Sequence, residues 1–291
     1  MRVFIAGATG VYGRALIPRL LARGDEVVAL ARSVAQAHAI ALPGVQLVEG
    51  DVLHDDPARL RRAMAGCDAA AHLATAIRPG ATGVDGTNTT AALRIDGTRR
   101  LLAAAVAAGV RRYVQQSIVM AYPDGGDRWL DEETPFDQSE ERAATAHAVV
   151  TMEAMVRALD PGQVAWSILR GGSFVGPDTA QDAVIERLRD GKQAVAGDGR
   201  NWVSFIHVED MAEATLIALH SAPAGSVFNI TDEPVRNGDY LDRLAAMLGV
   251  PAPPRDPAMP RARSFRCSNA AAKTALGWTP TYGIWPAVAE R

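Results

Sequence analysis

The most constraining stretch of the chain is its start, "VFIAGATGVYGRALIPRLLARGDEVVALAR" (3–32). Gly7, Gly10 and Gly13 form G-x-x-G-x-x-G between an apolar strand-like run and an amphipathic helix-like one. A turn this tight, with its backbone close to a ligand, leaves no room for Cβ atoms. The helix that follows opens with N–H groups that have no acceptor within it, which suits phosphate. A second strand follows at the right distance. The pattern therefore reads as the first βα turn of a dinucleotide site, with Gly7, Thr9, Gly10, Val11, Tyr12 and Gly13 around the pyrophosphate. The second strand ends in Ala31, Arg32 and Ser33, with no acidic residue. A carboxylate there would repel a 2′-phosphate, whereas Arg donates to one, so NADP(H) is favoured over NAD(H). Asp51 and Val52, after the third strand, fall near the adenine. Leu73, Ala74 and Thr75 close the fourth strand beside the cofactor.

The rest of the chain repeats the same alternation. Strand-like runs at 2–6, 26–30, 45–49, 67–73, 111–117, 164–169 and 226–230 alternate with helix-like stretches near 12–23, 56–65, 87–109, 140–159, 181–190, 209–220 and 238–248. This is the signature of an α/β fold, a doubly wound parallel sheet covered on both faces. Past residue 170, loop-like "GGSFVGPDTA" and "VPAPPRDPAMPRARSF" mark a smaller C-terminal substrate lobe. The expected division is 1–169 plus about 208–232 for the Rossmann-like domain, and about 170–207 plus 233–291 for the lobe.

Composition narrows the function classes. A formal charge of −3, from 30 Lys+Arg against 33 Asp+Glu, provides no basic surface, so neither nucleic acid nor a membrane is an expected partner. Cys67 and Cys267 lack metal-ligand spacing, so no metal site is expected and a reducing cytoplasm fits. The N-terminal apolar run is too short for a signal peptide or a membrane span. The expected partner is a small-molecule substrate.

Several motifs in order, "GATGVYG", "GDV", "HLA", "DGTRRLLAAAVAAGVRRYVQQS", "ILRGGSFVGP", "FIHVEDMAEA", "VFNITDEPV" and "ALGWTPTY", run through nearly the whole chain. With them it resembles the extended short-chain dehydrogenase/reductase family, the NAD(P)-dependent epimerase/dehydratase-like proteins. The resemblance implies substrate bound in a cleft between domain and lobe. It also implies nicotinamide contacts from Ser117, Ser173 and Phe174, and a homodimer through the helices near 87–109 and 140–159.

Such proteins typically use a Tyr-x-x-x-Lys pair on the helix after the fifth strand, with a Ser or Thr at that strand's end. Lys lowers the Tyr pKa, Tyr exchanges a proton with the substrate oxygen, and Ser orients that oxygen. A Glu usually follows the Lys by four residues. Glu153 matches it, which puts Val149 at the Lys position and Thr145 at the Tyr position. No Lys occurs before Lys192, so no shift of register restores the pair. Anchoring on Tyr122 puts Ile118 at the Ser position, and Arg94 in "RIDGT" stands where an Asn is common. Nucleotide-sugar members often carry Arg just before the Phe-Ile-His-Val run, where this chain has Ser204. Tyr122, Ser117, His147 and Thr145 are the residues on hand to replace the missing chemistry. The expected activity is an NADP(H)-binding oxidoreductase acting on a small carbonyl-type substrate through a remodelled site. A non-redox isomerase, cyclase or lyase in the same cleft, or a dinucleotide-sensing binding protein, are the alternatives.

Overall fold

The structure is a computed structural model that describes residues 1–76 and 84–286, side chains 84–87 and 144–145 excepted. Seven parallel strands make one sheet. In chain order they are Arg2–Ala6, Glu26–Ala31, Val45–Glu49, Ala69–His72, Arg112–Ile118, Ala165–Gly171 and Ser226–Ile230. In space the order is seventh, sixth, fifth, fourth, first, second, third, so the crossover direction reverses between the first and fourth strands. Ligands in such sheets lie beyond the carboxyl ends of the strands at that reversal.

The sequence period sets the layers. In the first strand, Val3 and Ile5 face one core with Leu16, Ile17, Leu20 and Met211; Phe4 and Ala6 face the other with Leu60, Leu101, Tyr113 and Ile168. Helix α1 (Val11–Ala22) and helix α7 (Val208–Ser221) cover the first face. Helices α2 (Pro57–Ala63), α4 (Thr98–Ala108) and α5 (Ala143–Arg157) cover the second. Gly109, at φ 76°, ends α4 in the left-handed conformation that a side chain resists. A separate core of Val175, Leu188, Val195, Tyr240, Leu241 and Leu244 belongs to the C-terminal lobe.

Two features differ from the sequence reading. The stretch near 87–109 is not one helix. Helix α3 (Val84–Ala92) passes into α4 through a π-helical turn, Leu93–Gly97. The C-terminal segment also returns to the main sheet's layer. Ala272 of helix α9 (Ala270–Leu276) and Trp278 join the first core, and the buried Asp210 carboxylate accepts from the N–H groups of Thr281 (2.8 Å) and Tyr282 (2.9 Å). Both cysteines are buried and free, and no helix among the described residues is long and apolar enough to cross a membrane.

A buried ion pair ties α5 to the sheet. Arg170 of the sixth strand donates from Nε to Glu153 Oε1 (3.0 Å) and from Nη2 to Oε2 (2.7 Å). The guanidinium lies 4.2 Å from the Phe136 ring centroid. Breaking one partner leaves the other charged and desolvated, whereas replacing both by apolar groups costs far less. Glu153→Gln should therefore destabilise the protein by about 3–5 kcal/mol in denaturant titration, and the Glu153→Met/Arg170→Met double variant by less. A loss below about 1 kcal/mol for Glu153→Gln would contradict this.

Candidate active site

The glycine turn has the form the dinucleotide reading requires. Gly7 has φ +93°, and a Cβ on it would lie 2.6 Å from Ala74 N and from Leu73 C. A Cβ on Gly13 would lie 2.5 Å from the carbonyl oxygens of Gly7 and Ala8. Helix α1 starts after Gly10 with no side chain capping it, so its first N–H groups are left for a ligand. Thr9 and Gly10 are exposed and Val11 is half-buried. Tyr12 contributes only its backbone here: its side chain is buried, with its hydroxyl on Thr215 and its ring 5.5 Å from Phe174. Leu73 N donates to Ala6 O (2.8 Å), so Leu73–Thr75 continues the fourth strand past the glycines. This cradle fits the pyrophosphate of a nicotinamide dinucleotide.

The remaining cofactor positions are arranged around the turn. Arg32 is exposed, with no ion pair or hydrogen bond among the described residues. Ser33, half-buried, precedes a short 3-10 turn and caps nothing with its side chain. Asp51 accepts from Leu53 N (2.8 Å) and faces His54 Nδ1 (3.2 Å). Partial burial raises its pKa, but these partners outweigh that and hold it below the usual carboxylate range. Val52 is buried against Gly97. Ser173 and Phe174 are half-buried after the sixth strand, with Ser173 Oγ 3.8 Å from Met120 Sδ. Among the described residues no cluster of His, Cys, Asp and Glu could hold a metal ion.

The replacement proton donors are not assembled at this edge. Ser117 is buried and donates to Glu153 Oε1 (2.6 Å), which ties its hydroxyl to the ion pair. Tyr122 is 0% exposed; its hydroxyl donates to Asn229 Oδ1 (2.9 Å) and accepts from Arg170 Nη1 (2.6 Å). Burial pushes its pKa up against the pull of Arg170, which makes it a worse acid. His147 is exposed between buried Ala146 and Ala148. Two residues along a helix turn it about 200°, so His147 points away from buried Val149 and the sheet. Thr145 lies among the side chains outside the description. Val149, which the count back from Glu153 puts at the Lys position, packs with Met152 and Ala121.

Other residues matter more than their sequence context indicated. Glu132, in a run that reads as solvated, turns its carboxylate to Asn229 N (2.6 Å), and burial raises its pKa. Both loops beyond the fourth and fifth strands, 76–90 and 122–136, read from sequence as candidate lids. The second is pinned where Trp129–Leu130 pairs with Arg266–Cys267, and residues 77–83 of the first lie outside the described residues. His72 is a core histidine: Nδ1 meets Gln115 Oε1 and Thr98 Oγ1, each at 3.2 Å, and Nε2 has no partner. Burial and the nearby Arg94 hold its pKa at about 4. Arg94, on the π turn, is half-buried, and burial lowers its pKa to about 10. Its departure from Asn is visible in sequence; its setting is not.

Known proteins share this architecture. Residues 3–231 match the model of the NAD dependent epimerase/dehydratase family. The chain is 35% identical to 3-diazoavenalumate denitrifying reductase of a Streptomyces species, over 98% of each chain. It is 29% identical to 4-hydroxy-2-methyl-3-oxo-4-farnesyl-3,4-dihydroquinoline-1-oxide ketoreductase of Stigmatella aurantiaca, over 87% of this chain and 75% of that one. In fold it is similar to dTDP-glucose 4,6-dehydratase of Streptomyces venezuelae, solved with NAD and TYD bound: TM-score 0.81 at 22% identity, covering 97% and 93% of the two chains. The chain belongs to the NAD-dependent epimerase/dehydratase family and is an NAD(P)-dependent enzyme of the oxidoreductase or epimerase type.

Proposed function

We propose that the enzyme is an NAD(P)H-dependent reductase that removes a diazo group from a carboxylate-bearing substrate and leaves hydrogen in its place. The observation that carries this reading is the missing acid. Ketone reduction leaves an alkoxide that must take a proton, and losing a positioned general acid costs about 10²–10⁴-fold. Here Ser117 and Tyr122 are locked inward and Val149 stands at the Lys position. A nicotinamide dinucleotide, its pyrophosphate held by the glycine turn, would supply the hydride; delivered to an aryl diazonium, that hydride would make one C–H bond in place of one C–N bond, free dinitrogen and leave the cofactor oxidised, with no proton consumed at that step. The chain's share of the work is then to bind, orient and keep water away. The 35% relative, a denitrifying reductase of a diazo carboxylate by name, supports this class. The 29% relative, a ketoreductase by name, supports the carbonyl reading, which needs a donor the described residues do not offer.

For the cofactor we propose NADPH over NADH. Unpartnered Arg32 and the free Ser33 side chain follow the second strand, where a 2′-phosphate would lie.

With 3-diazo-4-hydroxybenzoate as probe, NADPH absorbance at 340 nm should fall with one dinitrogen released per NADPH. A ketone panel should react about 100-fold more slowly or worse. Brisk ketone reduction with the diazo probe inert would contradict the proposal. Arg32→Ala should weaken NADPH binding about 10- to 100-fold while changing NADH little. Equal weakening of both would remove Arg32 from the phosphate.

A further inference from the structure

We propose that Arg94 is the cleft's anion-binding residue, whose guanidinium takes a carboxylate or phenolate oxygen of the substrate. This deepens the functional reading above and rests on it for the reaction; the charge of the ligand follows from the structure alone.

Arg94 stands apart from every comparable side chain. Eleven described arginines are half-buried or buried: 2, 14, 19, 94, 100, 112, 142, 170, 236, 263 and 266. Ten of them hydrogen-bond a carboxylate, a backbone carbonyl or a side-chain amide. Arg94 alone has neither a hydrogen bond nor an ion pair among the described residues. Its guanidinium nitrogens are also absent from the sealed, unpartnered polar atoms, so they keep contact with the outside. A cation that is partly desolvated yet unneutralised is costly, and such groups concentrate where a ligand completes them.

Its neighbours on the helix fix where it lies. Four residues before it, Thr90 Oγ1 accepts from Ala76 N (3.1 Å). Four residues after it, Thr98 Oγ1 meets Nδ1 of His72, the last residue of the fourth strand (3.2 Å), and a Cβ on Gly97 would come within 3.7 Å of the same ring. One helix face thus spans from His72 to Ala76, and Arg94 sits between those two contacts. The stretch beneath it is Leu73–Thr75, the backbone against which Gly7 packs. The π turn, Leu93–Gly97, also lies against α5, which lacks the Lys. π turns of this kind recur at functional sites.

Among the described residues no acidic group claims this charge. Asp96, on the same turn, is exposed and pairs with Arg99 at 2.6 Å. Glu153 of α5 is held by Arg170. His72 is buried and neutral, so it adds no charge of its own. An anionic substrate oxygen completes the set. Arg is suited to it because its planar fork can take both oxygens of a carboxylate.

The test titrates protein saturated with NADP+ with 4-hydroxybenzoate and, separately, with 4-hydroxybenzamide, which has the same shape without the carboxylate charge. Arg94→Gln should weaken 4-hydroxybenzoate about 10- to 100-fold and leave the amide and NADP+ within about twofold. Arg94→Lys, which keeps the charge and loses the fork, should fall between. Unchanged thermal melting of both variants shows that the fold is intact. Wild-type-like benzoate binding by Arg94→Gln would overturn the proposal. So would equal loss of acid and amide, equal loss of NADP+, or a wild-type protein that prefers the amide. If the charge-specific loss appears but the diazo probe is never consumed, the anion site stands and the reaction assigned above falls.

Discussion

The Glu153–Arg170 fork is the contact on which the rest of this active-site region depends. It joins α5 to the sixth strand through two short charged hydrogen bonds in a buried setting. It then draws in Ser117, Tyr122 and, through Tyr122, Asn229 of the seventh strand. Each member satisfies a group that would otherwise be orphaned, so the network behaves as a unit. The consequence is chemical as well as structural: the hydroxyls of Ser117 and Tyr122 are engaged in holding the scaffold.

What the carboxyl edge of the sheet offers instead is positive potential, with no proton donor assembled among the described side chains. Free N–H groups at the start of α1, unpartnered Arg32 and unpartnered Arg94 all favour anions. The first suits a pyrophosphate, the second a ribose phosphate, and the third a substrate carboxylate or phenolate. A site built this way binds and orients strongly while leaving proton transfer to none of its described side chains. That combination suits a substrate whose reduction ends in a C–H bond and a departing gas.

Much of this was legible in the sequence, and the limits have physical causes. The glycine turn was readable because only Gly tolerates the φ of Gly7 and the 2.6 Å approach to Ala74. The strands were readable because buried parallel strands are short apolar runs between turns. That no Lys precedes Lys192 is plain from the residues themselves. The π turn was hidden because one extra residue in a helical turn leaves the apolar period nearly unchanged over so short a span. The burial of Tyr122 and Ser117 was hidden because it depends on α5 and on Arg170, distant in sequence. Glu132 read as solvated for want of any local sign that Asn229 N would meet it.

On the proposed reaction, hydride moves without a proton delivered by the protein. A single-turnover measurement tests this most directly: oxidation of bound NADPH by the diazo probe, timed in H2O and in D2O at matched pL. The same rate is expected in both solvents. A rate twofold or more slower in D2O would show a proton in flight in the rate-limiting step, and would contradict it.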